Sequence, residues 1–186
     1  MNKLFYNNIK ENINVHSNLI SLEKEVSKAI LKLSFALKKN SKVFFCGNGG
    51  SAADAQHLSA ELLVKFKKKR RPLPGISLAL DSSTMTACSN DFKFEDIFLR
   101  NFRALARKGD ILVAISTSGK SKNIINVLKY AKKRNFLTIG FLGNGGGLAK
   151  KYCNISLIVP SKSVSRIQEC HIFLGHFIID QIEKKF

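Results

Sequence analysis

Apolar residues near the start of the chain recur at Leu19, Leu22, Val26, Ile30, Leu33 and Leu37, in steps of three and four. That period predicts one long amphipathic helix between Ile9 and Leu37. Beyond it the pattern changes to short unbroken apolar runs: KVFFC at Lys42 to Cys46, ISLAL at Ile76 to Leu80, ILVAI at Ile111 to Ile115, LTIGF at Leu137 to Phe141 and ISLIV at Ile155 to Val159. Runs with so little alternation read as five strands covered on both faces, and the stretches between them are long enough for crossover helices. Ser51 to Phe66, Asp91 to Ala106, Ser121 to Arg134 and Ser163 to Lys184 fit such helices. The expected architecture is a single doubly wound α/β domain over residues 1–186, with a helical segment at 1–38 ahead of an α/β core at 39–186. The long helix has two ways to bury its stripe, on its own sheet or on a second subunit, and periodicity does not choose.

A length of 186 residues with 45% hydrophobic content suits one core. The opening residues hold no apolar stretch of signal-peptide length, and no run of about 18 apolar residues occurs, so a cytoplasmic protein without a membrane partner is expected. Cys46, Cys88, Cys153 and Cys170 are far apart and form no CxxC pair. That excludes a local zinc knuckle or thioredoxin-like motif and predicts reduced, mostly buried thiols. The net charge of +18 attracts any anion, whether nucleic acid, anionic lipid or a phosphorylated ligand. Its densest run, Lys65, Lys67, Lys68, Lys69, Arg70 and Arg71, closes on Pro72 and reads as a helix end entering a loop. With no Trp and three Tyr to interleave as stacking platforms, that run reads as a solvated basic face rather than a nucleic-acid groove.

Two loops carry candidate chemistry. After the first strand comes Gly47-Asn48-Gly49-Gly50-Ser51, opening into a helix, where bare backbone N–H groups can close on an anion. Its spacing is not the dinucleotide GxGxxG. After the third strand, Ser116-Thr117-Ser118-Gly119-Lys120-Ser121 brings four hydroxyls to another helix start, which suits a phosphate monoester. It is not a Walker A loop, which would demand magnesium and a nucleoside triphosphate, because Ala114 stands where that motif has its first glycine. A third turn, Gly143 to Gly147, lacks a comparable hydroxyl set and reads as structural. His57 and Glu61 stand four apart on one helix face, a spacing that serves a metal, an acid/base pair or a plain surface interaction. Gln168 and His176, eight apart in the last helix, lie about 80° apart around its axis and can face one pocket. Glu169 and His171 read as packing or hydrogen-bonding residues.

In order and spacing, CGNGGSAADAQHLSAEL (Cys46 to Leu62), SNDF (Ser89 to Phe92), GDILVAISTSGKS (Gly109 to Ser121) and RIQECHIFLGH (Arg166 to His176) resemble the bacterial phosphoheptose isomerases, members of the sugar-isomerase (SIS) fold. The resemblance covers nearly the whole chain. It implies a parallel sheet of order 2-1-3-4-5 whose first and third loops meet at the topological switch point. It implies that Ser116, Thr117, Ser118 and Ser121 hold a sugar phosphate, while Asn48, Gly49, Gly50, Asn90 and Asp91, with Glu61 and Gln168, bind the rest of the substrate. It further implies one Zn2+ per subunit on His57, Glu61, Gln168 and His176, with Glu61 and His176 also the acid/base pair, in a homotetramer with pockets at subunit contacts. A carboxylate or imidazole bound tightly to zinc exchanges protons poorly, so both roles require ligation to loosen as substrate enters.

The implied reaction is aldose–ketose isomerisation of D-sedoheptulose 7-phosphate to D-glycero-D-manno-heptose 7-phosphate, toward the heptoses of bacterial surface polysaccharide, whether lipopolysaccharide or capsule. Ser165 stands where some family members carry an acidic residue, which bears on the pocket edge. The competing readings are a non-catalytic relative that binds a replication initiator, whose signature would be loss of acid/base or metal positions, and an isomerase or deaminase of a hexose phosphate.

Overall fold

The N-terminal segment is helical from Asn2 to Lys38, with one 3-10 turn inside it. The structure, a computed structural model, describes residues 2–186; Met1, the first residue of the N-terminal segment, lies outside them. Helix α1 (Asn2–Ser17) and helix α2 (Glu23–Lys38) are joined by a 3-10 turn at Asn18–Leu22. The expected helix is thus present with a 3-10 turn within it, and serine hydroxyls engage the backbone beside that turn. Ser17 Oγ donates to the Ile13 carbonyl at 2.8 Å, and Ser21 Oγ to the Asn18 carbonyl at 2.7 Å. The stripe itself turns inward, with Leu19, Val26, Leu33 and Leu37 buried in one core with the sheet.

Strands β1 (Val43–Cys46), β2 (Gly75–Ser77), β3 (Ile111–Ser116), β4 (Leu137–Leu142) and β5 (Ile155–Ile158) form one parallel sheet of order β2-β1-β3-β4-β5. The pleat sends alternate residues to opposite faces. Val43, Phe45, Val113, Ile115, Ile139 and Phe141 join the core beneath α2, α3 (Gly50–Leu63) and α7 (Val164–Glu183). Phe44, Cys46, Leu112 and Ala114 join a second core beneath α4 (Ser82–Asp91), α5 (Ile97–Leu105) and α6 (Lys122–Lys133). Both faces are therefore covered, as the unbroken apolar runs require. No cysteine is paired; three are buried and Cys153 is half-buried.

Two expectations need correction between β2 and β3. The second strand ends at Ser77, short of Leu80. The helix expected over Asp91 to Ala106 is α5 preceded by a 3-10 turn at Phe94–Asp96, while Asp91 closes a separate helix, α4. Asp81 starts α4, its Oδ1 accepting the Thr84 N–H at 3.1 Å. The Ser82-Ser83-Thr84 start has little intrinsic helix preference, so the cap and not the propensity marks this helix.

Glu169 does serve hydrogen bonding: it accepts from Asn12 Nδ2 at 2.7 Å and from Arg166 at 2.8 Å, and Arg166 also donates to the Asn8 carbonyl at 2.9 Å. These bonds dock α1 on the start of α7. His171, on α7, is fully buried and edge-on to Phe141, and neither ring nitrogen finds a hydrogen-bond partner among the described residues.

Burial pushes the His171 pKa down from 6.5 to about 4, opposed by the backbone of Leu142 at less than full hydrogen-bonding geometry. As pH falls below 6.5 the unfolded chain takes up this proton first, so stability is lost down to about pH 4, where the folded form also protonates. The loss is at most about 3 kcal/mol. Urea unfolding of the parent and of His171→Leu across that window measures it, and the variant should show the shallower pH dependence.

Candidate functional site

β1 runs into α3 on one face of the sheet and β3 into α6 on the other, so the loops after them diverge and leave a crevice at the carboxyl ends of the strands. A reciprocal amide pair spans it. Asn48 Nδ2 donates to Asn123 Oδ1 at 2.9 Å, and Asn123 Nδ2 donates back to Asn48 Oδ1 at 2.8 Å. Asn123 was not among the expected site residues. It follows the hydroxyl cluster at the first turn of α6, and only the approach of the two loops gives it a role.

Within the second loop two hydroxyls shape the backbone: Ser116 Oγ accepts the Gly119 N–H at 3.1 Å and Ser118 Oγ the Lys120 N–H at 3.2 Å. Ser121 caps α6 by position but makes no side-chain cap bond, leaving its hydroxyl and the first amides of the helix available to an anion. The third glycine turn is more than a connector, because it buttresses this loop. A Cβ on Gly119 would stand 2.0 Å from the Gly146 carbonyl oxygen, and one on Gly147 would stand 2.5 Å from that of Ser118. Both residues have positive φ, and the Ala149 N–H donates to the Gly119 carbonyl at 2.9 Å.

The titratable residues gather where α3 and α7 run side by side in the same direction. Gly50 lies against Gln168, and Leu58 against Gly175. His57 Nε2 lies 2.8 Å from His176 Nε2 and 3.3 Å from Glu61 Oε1, and ligand atoms of all three fall within 4.8 Å of one another. Tetrahedral ligands at zinc distances stand about 3.3 Å apart, so the two imidazoles need part by only a fraction of an ångström to share an ion. Burial pushes the His176 pKa below the ordinary histidine value, and His57 and Lys67 add to this while Glu61 opposes it. One turn before His57, Asp54 has a buried Oδ2 without a partner among the described residues; burial raises its pKa and His57 opposes the rise.

Gln168 does not join this cluster within the chain. Its amide rests where a Cβ on Gly50 would lie, 2.5 Å from that point, while His57 is seven residues or about 10 Å farther along α3. Gln168 thus stands with Gly49 and Gly50 at the mouth of the first loop. Asn90 and Asp91 close α4, exposed, with Asn90 Nδ2 donating to Asp91 Oδ1 at 2.8 Å. The basic run is solvent-facing as expected except for Arg70, whose side chain is 1% exposed. A groove of about 460 Å³ lies elsewhere, lined by Leu19, Ile20, Val26, Phe173, Leu174 and Phe177 among others. Its apolar walls suit a protein face better than a phosphosugar.

The parallel 2-1-3-4-5 sheet with its hydroxyl-rich switch-point loop defines a doubly wound α/β protein of the SIS type. The SIS domain family matches residues 5–143, which include both loops but not α7. Relatives extend the likeness across α7. The phosphoheptose isomerase of Campylobacter concisus is 45% identical over 182 residues, covering 96% of each chain. That of Nitratiruptor sp. is 51% identical over 151 residues, 81% of each. The solved phosphoheptose isomerase of Francisella tularensis superposes with a TM-score of 0.94 at 33% identity, over 98% of this chain and 97% of that one. The Neisseria gonorrhoeae structure gives 0.91 at 35% identity over 98% of both. The chain belongs to the SIS domain family and, within it, to the phosphoheptose isomerases.

Gly147→Ala tests the buttress. The new Cβ must push the Ser118 carbonyl aside, so helical content by circular dichroism should be retained while affinity for inorganic phosphate, read by calorimetric titration, falls about tenfold, or about 1.4 kcal/mol.

Proposed function

We propose that this protein is an aldose–ketose isomerase converting D-sedoheptulose 7-phosphate to D-glycero-D-manno-heptose 7-phosphate, a supply of heptose for bacterial surface polysaccharide. The observation that carries the reading is the cluster of Glu61 with two imidazoles on an SIS fold whose full-length relatives are phosphoheptose isomerases. About 10 Å separates the start of α3, beside the first loop, from His57, a distance an open-chain seven-carbon sugar phosphate can span. The phosphate sits on the hydroxyls of Ser116, Thr117, Ser118 and Ser121 and on the first amides of α6. Asn48, Gly49, Gly50, Gln168, Asn90 and Asp91 contact the sugar chain.

Glu61 takes a proton from C1 of the open-chain ketose, charge collects on the C2 oxygen of an enediolate, the C1 hydroxyl proton passes to that oxygen, and His176 supplies the proton that returns to C2, the proton held by Glu61 then restoring His176. The lowered pKa of His176, caused by burial and by its neighbours His57 and Lys67, makes it a stronger acid when protonated. His57, beside both, fixes the two groups relative to each other. His57, Glu61 and His176 form a donor set that fits zinc, with Gln168 a fourth candidate whose amide would have to swing from Gly50. A bound Zn2+ supplies electrostatic stabilisation of negative charge on substrate oxygens.

Exposed apolar residues on α1 (Leu4, Phe5, Ile9 and Ile13), Ile20, and Phe173 and Phe177 on α7 support a homotetramer that covers them. We assign the enzyme to the cytoplasm, where phosphorylated sugars are made and used. No helix of residues 2–186 is long and apolar enough to cross a membrane.

Incubating the protein with sedoheptulose 7-phosphate and with hexose phosphates, and following products by NMR, tests the reaction directly; heptose 7-phosphate should form only from the first. Glu61→Gln should lower kcat by about 10² to 10⁴-fold with the fold intact. Near-parental turnover by that variant would remove Glu61 from the role of base. Metal analysis should find one zinc per chain, with activity lost on chelation. Sedimentation at micromolar concentration should give a tetramer.

A further inference from the structure

Residues 64–74 join α3 to β2 without regular structure and carry the densest basic run of the chain, yet they are held from both sides. Glu183, in the last turn of α7 and 2% exposed, accepts the backbone N–H of Phe66 at 3.0 Å through Oε1. Its Oε2 accepts those of Lys67 at 2.8 Å and Lys68 at 2.9 Å. Arg70 Nε lies 3.1 Å from Glu183 Oε1, an ion pair whose N–H points off the hydrogen-bond line. Its guanidinium also donates to the carbonyls of Glu61 at 2.6 Å, Leu62 at 2.8 Å and Arg71 at 3.0 Å. A buried carboxylate and a buried guanidinium thus tie the loop to the ends of both helices that carry the titratable cluster. Burial pushes the Glu183 pKa up, and the three backbone donors followed by Arg70 outweigh it, holding the carboxyl below its ordinary value.

What the clasp holds in place is an aromatic wall. The Phe66 ring stacks on the His176 imidazole with centroids 5.1 Å apart and planes 27° apart. On the far side of the arrangement, Lys67 Nζ lies 5.2 Å from the Phe66 centroid and 3.1 Å from Asp180, one turn beyond His176 on α7. His57 meets the imidazole at its nitrogen, with ring centroids 5.0 Å apart. A half-exposed histidine on a helix is free to turn about its side-chain bonds unless something packs on its face. Nε2 reaches Glu61 and His57 in only part of that range. Phe66 supplies the face that limits it.

We propose that Phe66 is a positioning residue for His176, and that the buried Glu183–Arg70 clasp acts on the reaction through it by holding the 66–70 strap against the imidazole. The inference rests on the role given above to His176, but its geometric half is testable without turnover. Phe66→Leu keeps apolar bulk and loses the ring; Phe66→Tyr keeps the ring. With sedoheptulose 7-phosphate, Phe66→Leu should lower kcat about tenfold while KM stays within about twofold, and Phe66→Tyr should restore the parent kcat. In chelated, metal-free protein the His176 ring-proton resonances, assigned with His176→Gln, should move downfield in Phe66→Leu as the stacked ring current is lost. They should stay near the parent position in Phe66→Tyr. Glu183→Gln should shift them in the same direction as Phe66→Leu, because the strap loosens.

Unchanged His176 resonances in Phe66→Leu would overturn the proposal, as would parental kcat in that variant or an equal loss of kcat in Phe66→Tyr. If Glu183→Gln leaves the resonances in place, the clasp has no such role. Should the parent fail to isomerise the sugar while Phe66→Leu still moves the resonances, the reading of function falls and the positioning of the ring stands.

Discussion

How closely α7 can approach α3 decides whether this chain has a site at all. The two helices touch at Gly175, where an added Cβ would lie 2.5 Å from Leu58 Cδ2, so only a residue without a side chain lets Leu58 seat there. Glycine inside a helix costs about 1 kcal/mol relative to alanine. Burial of Leu58, Leu62, Leu174 and Ile178 around the contact offsets that cost. The neighbouring residue on α7 is His176, and on α3 it is His57. A separation set by larger residues would part the imidazoles and leave Glu61 paired with His57 alone, the plain surface interaction that an i,i+4 spacing ordinarily makes.

From that contact the rest of the arrangement follows by helix geometry. The parallel course of α3 and α7 carries the pairing in both directions, to Gln168 on Gly50 at the loop end and to Glu183 and Arg70 at the far end. The first end borders the switch-point crevice, where the chemistry is backbone amides and hydroxyls. The middle holds the cluster of His57, Glu61 and His176. The far end is a buried ion pair, an arrangement that gains little net stability over an apolar pair and is strongly destabilising to break in half. Its several backbone partners make it a device for fixing a basic loop that would otherwise be solvated and mobile.

The positive charge of the chain has a different standing. A field of +18 concentrates any anion near the surface, sugar phosphates included, but it does not select one. In the proposed reaction selection falls to the hydroxyl loop, and that loop is buttressed by the third glycine turn, 143–147. The turn carries no functional side chain. The absence of side chains at Gly147 in the turn and at Gly119 in the loop lets two backbones meet.

Local patterns were enough for the five strands, four of the helices, the two anion loops and the His57–Glu61 pair, because periodicity, glycine turns and helix starts are properties of neighbouring residues. The motifs in order were enough for the family. Helix α4 escaped the pattern since its helix signal is a cap rather than an apolar stripe, and the long N-terminal helix was legible except for its 3-10 turn, which leaves the hydrophobic spacing intact. What only the tertiary structure decided are contacts between residues far apart in the chain: Asn48 with Asn123, Gly147 with Ser118, Phe66 with His176, Arg70 with Glu183. In sequence Arg70 is one cation in a run of six, and Gln168 is one polar residue on a helix that faces a pocket. Whether each is buried, and against what, depends on the distance between two helices, and that distance is set by packing across more than a hundred residues of chain, which no local pattern records.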